Sequence, residues 1–253
     1  MLPASTFSAR LPRKLRKLLY RNYRQRDCYK CYDRLGLKLL LNYANYVDRQ
    51  LIIHEPYETA QLQQFLDTAE QNIQDLFLDV GANLGLYALL AARSSNFREV
   101  MAFEPDPRNY RQLITNIAFS NMTNAISAYA CGLSDRDTEL DFLQAHRRST
   151  GQSRVRASAP AGTAHDRYTN TCIPVIRFDD HFSYRDCQVM IKIDVEGHEI
   201  TVVNGMQQLL GDNDCHLQVE VFEANIQPLE SLLATLGYRH QASFGHDRLY
   251  RKS

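Results

Sequence analysis

From residue 76 onward, short apolar runs alternate with stretches whose apolar residues recur at helical spacing. Residues 76–80 read as a strand and 86–93 as a helix; 99–103 and 108–119 repeat the pair, and 125–130 add a third strand. Further on the alternation returns, with a strand at 189–193, a helix at 199–210, a strand at 216–222, a helix at 228–236 and short strands at 239–244 and 248–251. This pattern predicts an α/β fold, a mostly parallel sheet covered by helices on both faces.

Two regions stand outside the alternation. Residues 139–144 and 173–178 resemble strand pieces, and the stretch between them, 145–171, is rich in Arg, Ser, Thr and Ala without strong periodicity. A connection of that length is expected to be a mobile loop or lid over a site. Ahead of the sheet, 35–47 is rich in Leu, Tyr and Asn, and 58–69 carries Ala60, Leu62, Phe65, Leu66 and Ala69 at helical spacing. Both predict a helical N-terminal cap, dividing the chain into an extension over 1–70 and a main domain over 71–253. A chain of 253 residues suits one main domain with a small appendage.

Charge sharpens the view of the extension. The formal net charge is zero, yet residues 1–30 hold nine Lys and Arg against Asp27 alone, a net +8 balanced by −8 over the remainder. Leu11, Leu15, Leu18 and Leu19 would give a helix there one apolar side. Such a helix packs on the domain with its charges solvated, or lies peripherally on an anionic membrane. No apolar run approaches the ~20 residues of a bilayer span, and the N-terminus lacks the apolar core of a secretory signal, so a cytoplasmic chain is expected. Six cysteines are too sparse for a disulfide framework, and Cys28-Tyr-Lys-Cys31 is only half a zinc site.

The candidate chemistry lies where strands end. Residues 76–85, Leu-Phe-Leu-Asp-Val-Gly-Ala-Asn-Leu-Gly, run from a strand through a glycine turn into a helix. Glycines let backbone approach a ligand, and the free N–H groups of a helix start face it. Glu104 lies 25 residues after Asp79 at the end of the second strand, the usual place for a carboxylate that accepts ribose hydroxyls. The turn is not G-x-G-x-x-G and shows no pyrophosphate cradle, which disfavours NAD and FAD. S-adenosylmethionine fits best, with Asp79 facing its methionine end and Glu104 its ribose. A third strand end releases Asp194-Val-Glu-Gly-His-Glu199, a burst of ionisable groups that is costly unless used, paired or capping a helix.

The pieces Asp79-Val-Gly-Ala-Asn-Leu-Gly85, Ala102-Phe-Glu-Pro-Asp-Pro107, Gly132-Leu-Ser-Asp-Arg136 and Lys192-Ile-Asp-Val-Glu-Gly-His-Glu199 occur in this order. Together they resemble the FkbM family of S-adenosylmethionine-dependent methyltransferases over roughly residues 76–238. The resemblance implies a class I methyltransferase, Rossmann-like fold with a seven-stranded, mostly parallel sheet. It also implies O-methylation of hydroxyls on sugars, glycans, glycolipids or polyketide-type natural products. Cofactor contacts carry over to Asp79, Gly81, Asn83, Gly85 and Glu104, with Ser134 and Asp135 near the adenine.

An alcohol must lose its proton as the new bond forms. Asp194 is expected near the transferring methyl, with His198 or Glu220 as base. Asp194, Glu196 and Glu220 could instead hold a divalent cation through oxygen ligands, although no metal is assigned. The basic arm raises nucleic-acid methylation as a rival. Asp194-Val-Glu-Gly disfavours it, since enzymes acting on exocyclic base nitrogens commonly carry Asn or Asp before Pro-Pro and an aromatic. A non-catalytic S-adenosylmethionine-binding module is the remaining alternative. The acceptor and the oligomeric state are left open.

Overall fold

The computed structural model describes residues 28–54, 57–71, 74–146, 148–159 and 165–252. The basic arm, with its leucine face and expected membrane contact, lies outside the described residues as far as residue 27. Where a helix was expected over 35–47, the chain forms an antiparallel hairpin of β1 (Tyr29–Arg34) and β2 (Leu37–Asn42). Leu35 and Gly36 at its tip have φ of 53° and 75°, the tight-turn backbone that matches strand twist. Leu37, Leu39 and Leu41 are buried while Lys38 is exposed, so a period of two prevails over the helical reading.

Two helices follow. In α1 (Tyr46–Ile52), Asn45 is the N-cap, its side chain accepting from the Val47 N–H at 2.9 Å. After α2 (Thr59–Gln71) the main sheet begins with β3 (Gln74–Val80), α3 (Leu86–Ser94), β4 (Phe97–Phe103), α4 (Pro107–Phe119) and β5 (Ser127–Tyr129). Leu39, Ile52 and Phe65 of the N-terminal part share one buried cluster with Phe77 and Leu89, so the extension completes the core on that face of the sheet.

The chain then leaves the main sheet. Strands β6 (Gly132–Ser134), β7 (Thr138–Ala145), β8 (Arg154–Val155) and β9 (Tyr168–Arg177) make a separate four-stranded sheet in the order β6-β9-β7-β8. The expected lid over 145–171 is therefore partly sheet and partly 3-10 turn, with β8 paired to β7. Asp106, fully buried at the N-cap of α4, fastens this second sheet to the first. Its carboxylate accepts from the Arg108 N–H (3.0 Å), Gln144 Nε2 (3.0 Å) and Ser153 Oγ (3.0 Å).

A short α5 (Phe178–His181) returns the chain to the main sheet through β10 (Gln188–Ile193). The expected helix over 199–210 is broken at Gly205 and Met206 into α6 (Glu199–Asn204) and α7 (Gln207–Asp212). Then come β11 (Asp214–Glu220), α8 (Glu223–Thr235), β12 (Tyr238–Phe244) and β13 (Asp247–Lys252). The seven strands lie in the order β12-β13-β11-β10-β3-β4-β5. Only β13 runs against the rest, pairing antiparallel with both β11 and β12.

Strand periodicity sorts the buried residues onto two faces. Leu76, Leu78, Val80, Ile191, Ile193, Leu217 and Val219 join one apolar cluster. On the other face, Asp79, Lys192 and Gln218 stand side by side in register, a polar stripe close to the strand ends.

Candidate active site

Pairing register explains how distant motifs meet. Val80 is opposite Phe103 and Ile193, and Ile193 is opposite Val219. The next residue of each strand, Gly81, Glu104, Asp194 and Glu220, therefore falls in one row along the carboxyl edge, where open α/β sheets bind ligands. The row is tight. The Asp194 N–H donates to the Val80 carbonyl at 2.9 Å, and a Cβ on Gly81 would lie 1.8 Å from the Asp194 carbonyl oxygen. Gly81, at φ 84°, is thus required both for its backbone conformation and for this approach.

Glu104 is buried and bound on both oxygens. Oε2 accepts from the Asn83 N–H at 2.7 Å and Oε1 from the Asp106 N–H at 2.8 Å. Burial pushes its carboxyl up to about 8, against the opposing effect of these N–H donors. It lines a cavity of about 640 Å³ together with Gly81, Asn83, Asp194, Glu196 and His198. The apolar wall comes from Pro105, Leu133 and the second sheet, through Phe142, Val155, Ile173 and Val175.

Four of the residues expected to contact the cofactor, Asp79, Gly85, Ser134 and Asp135, do not line this cavity. Asp79 is buried behind the turn and does not line this cavity; its Oδ2 accepts from the Ala88 N–H of α3 at 2.9 Å. Burial raises its carboxyl to about 7, opposed by that N–H and by Lys192. Gly85 serves packing, since a Cβ there would meet Leu113 Cδ1 at 2.4 Å. At the second sheet the cavity is lined by Gly132 and Leu133, not by Ser134 and Asp135. Asp135 is exposed.

His198 lies on the first cavity's side of the strand row. Glu196 and Gly197, at φ of 55° and 108°, turn the loop so that the imidazole lies between Ser134 Oγ (3.1 Å) and Ser158 Oγ (3.3 Å). Burial lowers its basicity. It lines the first cavity but not the second, described next.

That second cavity, of about 1160 Å³, shares Asn83, Gly151, Asp194 and Glu196 with the first and opens toward the N-terminal segment. Tyr46, Tyr57, Glu58 and Gln61 line it from that side, and Glu220, His246 and Asp247 from the sheet. The side chains of Asp194 and Glu220 are hydrogen-bonded to each other. Burial raises both carboxyls, and Lys192 opposes the rise in each. The hydrogen bond between them acts in opposite directions, raising Asp194 and lowering Glu220, so the two titrate as a coupled pair.

Lys192 is buried between its neighbours. Its Nζ is 2.7 Å from Asp247 Oδ1 and 4.0 Å from Asp194 Oδ2. Burial alone would lower its pKa, but Asp194, Asp247, Glu58 and Glu220 together raise it. Arg154 bonds Glu196 at 2.8 Å, and the Tyr87 hydroxyl donates to Glu58 at 2.8 Å. Among the described residues, no three His, Cys, Asp or Glu side chains are arranged to hold a metal ion. Nor is any described helix long and apolar enough to cross a membrane.

Glu58, Lys192 and Asp247 were not singled out from the sequence. Lys192 gave a signal all the same, because a lysine between Ile191 and Ile193 in a buried strand requires a partner. Glu58 and Asp247 sit in no motif, and only the fold brings them to the strand ends.

A sheet of this strand order, with one reversed strand and a glycine turn beside a strand-end acid, defines a class I methyltransferase. The chain belongs to the methyltransferase FkbM domain family, whose profile matches residues 79–240. It is 26% identical over 212 residues to methyltransferase sdnD of Sordaria araneosa, covering 72% of this chain and 82% of that protein. It is also 26% identical over 147 residues to the hexuronic acid methyltransferase AglP of Haloferax volcanii, covering 57% of this chain and 54% of that protein. A solved methyltransferase FkbM from Methylobacillus flagellatus aligns with 18% identity and a TM-score of 0.49, over 71% of this chain and 44% of that one. The chain thus spans about half the length of AglP and less than half of the solved protein.

The enzyme is a methyltransferase and its cofactor is S-adenosylmethionine. The first cavity fits it. Glu104 offers carboxylate lone pairs to a ribose beyond the two N–H groups it already binds, and Leu133, Phe142 and Val175 give an apolar wall for a flat base.

Proposed function

We propose that the chain is an O-methyltransferase acting on a hydroxyl of a sugar, glycan, glycolipid or polyketide-type natural product. The observation that carries this reading is the junction of the two cavities, where Asp194 lines both and is hydrogen-bonded to Glu220, which lines the second. When bound, the cofactor supplies a methyl group on a positively charged sulfur. Glu104 holds the ribose, Gly81 and Asn83 give backbone close to the cofactor, and Gly132 and Leu133 border the base. Asp79 and Gly85 act indirectly, by shaping the turn.

The chain's task at the junction is to place an alcohol and take its proton. Glu220 is the proposed acceptor of that proton, with Asp194 holding it by hydrogen bond. Tyr46 and Tyr57 offer aromatic faces, and Glu58 and Gln61 offer polar groups, as a hydroxyl-bearing ring requires. The likeness to a methyltransferase named for a hexuronic acid supports a carbohydrate acceptor.

A positioned base is worth roughly 10²–10⁴ in rate. Replacing both acids, Asp194→Asn with Glu220→Gln, is expected to lower kcat at least 100-fold while calorimetry shows unchanged cofactor affinity. Full turnover by the double variant would overturn the proposed base.

A further inference from the structure

The acceptor cavity is lined by five carboxylates, Glu58, Asp194, Glu196, Glu220 and Asp247, contributed by four separate regions of the chain. The cations beside them are already engaged. Lys192 bonds Asp247 at 2.7 Å and Arg154 bonds Glu196 at 2.8 Å, both largely out of solvent. Those two acids are therefore neutralised within the protein. Asp194 and Glu220 stand together, with Lys192 Nζ 4.0 Å from Asp194, and Glu58 accepts from the Tyr87 hydroxyl. Among the described residues lining this cavity, His246 is the only basic side chain.

A hydroxyl-rich ring suits such a wall, because each O–H can donate to a carboxylate and the C–H face can rest on a tyrosine. An acceptor carboxylate or phosphate would instead be desolvated beside like charges, with neither Lys192 nor Arg154 free to meet it. Resting on the O-methyltransferase reading above, we propose that the acceptor is an uncharged polyhydroxylated ring. The cavity excludes uronate- and phosphate-bearing rings, with Glu58 as a specificity-determining residue. This sets the chain apart from its relative named for a hexuronic acid.

The test uses the full chain with methyl-tritiated S-adenosylmethionine and a glycan extract of the source cells. Labelled product is hydrolysed to monosaccharides and separated by anion exchange. Label in a neutral O-methyl sugar is the expected result, and label in a uronic acid or a sugar phosphate overturns the proposal. Label in nucleic acid or protein instead overturns the O-methyltransferase reading on which it rests. With the labelled sugar identified, kcat/KM is compared with that of its uronate analogue. The neutral ring is expected to be favoured at least 100-fold, and the Glu58→Gln variant, which keeps an oxygen for the Tyr87 hydroxyl, to narrow the ratio at least tenfold. Equal use of the two sugars by the parent enzyme overturns the exclusion, and an unchanged ratio in the variant removes Glu58 from it.

Discussion

Glu104 makes two demands on the protein that can be separated by experiment. It satisfies the Asn83 and Asp106 N–H groups, and as a proposed ribose ligand it would accept two O–H donors as well. Hydrogen bonds to an ionised acceptor contribute about 1.5–3 kcal/mol each. Glu104→Ala is therefore expected to weaken cofactor binding by about 3–6 kcal/mol, roughly 10²–10⁴ in Kd. It also orphans the two N–H groups at about 1–3 kcal/mol apiece. Glu104→Gln keeps one acceptor oxygen and should lose about 10–100-fold in affinity.

The pH dependence is the sharper readout. Because burial pushes the Glu104 carboxyl up to about 8, about a tenth of the free protein holds it ionised at pH 7, and binding to that form costs about 1.4 kcal/mol. Affinity should rise about fivefold from pH 7 to pH 8 and about twofold more before levelling off near pH 9, and the Gln variant should lack this rise. Calorimetric titration with S-adenosylmethionine across pH 6–9 measures both. If the Gln variant binds within threefold of the parent with the same pH profile, Glu104 is not the ribose ligand.

Three further outcomes concern stability. Gly81→Ala places a Cβ against the Asp194 carbonyl at a left-handed backbone position and should cost about 3 kcal/mol or more, read by chemical denaturation; a loss below about 1 kcal/mol would contradict the packing described. Lys192→Met strands Asp247 in a buried site at about 3–5 kcal/mol, and Lys192→Met with Asp247→Asn should recover part of this; a neutral single variant would refute the pair's importance. Asp48, Asp79, Glu104 and Glu196 are raised, chiefly by burial, to about 6, 7, 8 and 7. Folding thus holds protons that the unfolded chain releases near pH 4, so stability falls as pH rises from about 4 to 8. The melting temperature of the cofactor-free protein should drop by roughly 5–10 °C between pH 5.5 and 8, and a rise over that interval would reverse the sign assigned to these groups.

The sheet was legible because its central strands carry apolar runs, residues 76–80, 99–103 and 189–193, interrupted by no more than one charged residue each, and each run falls within a strand of the main sheet. The convergence of Gly81, Glu104 and Asp194 on one edge followed from strand ends alone. Leu37–Asn42 was misread because a leucine-rich stretch satisfies both periods, and the positive φ at Leu35 as well as Gly36 was not a sequence signal. The side on which His198 emerges was not legible for a different reason. Its position in the chain is beside Asp194, but the positive-φ turn at Glu196 and Gly197 decides on which side of the strand row the ring emerges. The wall of the proposed acceptor cavity was the least legible part, since Glu58, Asp247 and Tyr57 come together only by proximity across the fold.

The missing Cβ of Gly81 against the Asp194 carbonyl joins two motifs more than a hundred residues apart into one mechanical part. Neither can be retuned alone. A change in the turn that improved the grip on the cofactor would displace the backbone that carries Asp194 of the proposed proton-accepting pair, so gains in cofactor affinity and in turnover should trade against each other. Variants at the two motifs should accordingly be strongly non-additive, and laboratory evolution of this enzyme would be expected to alter the acceptor wall first, where residues move independently.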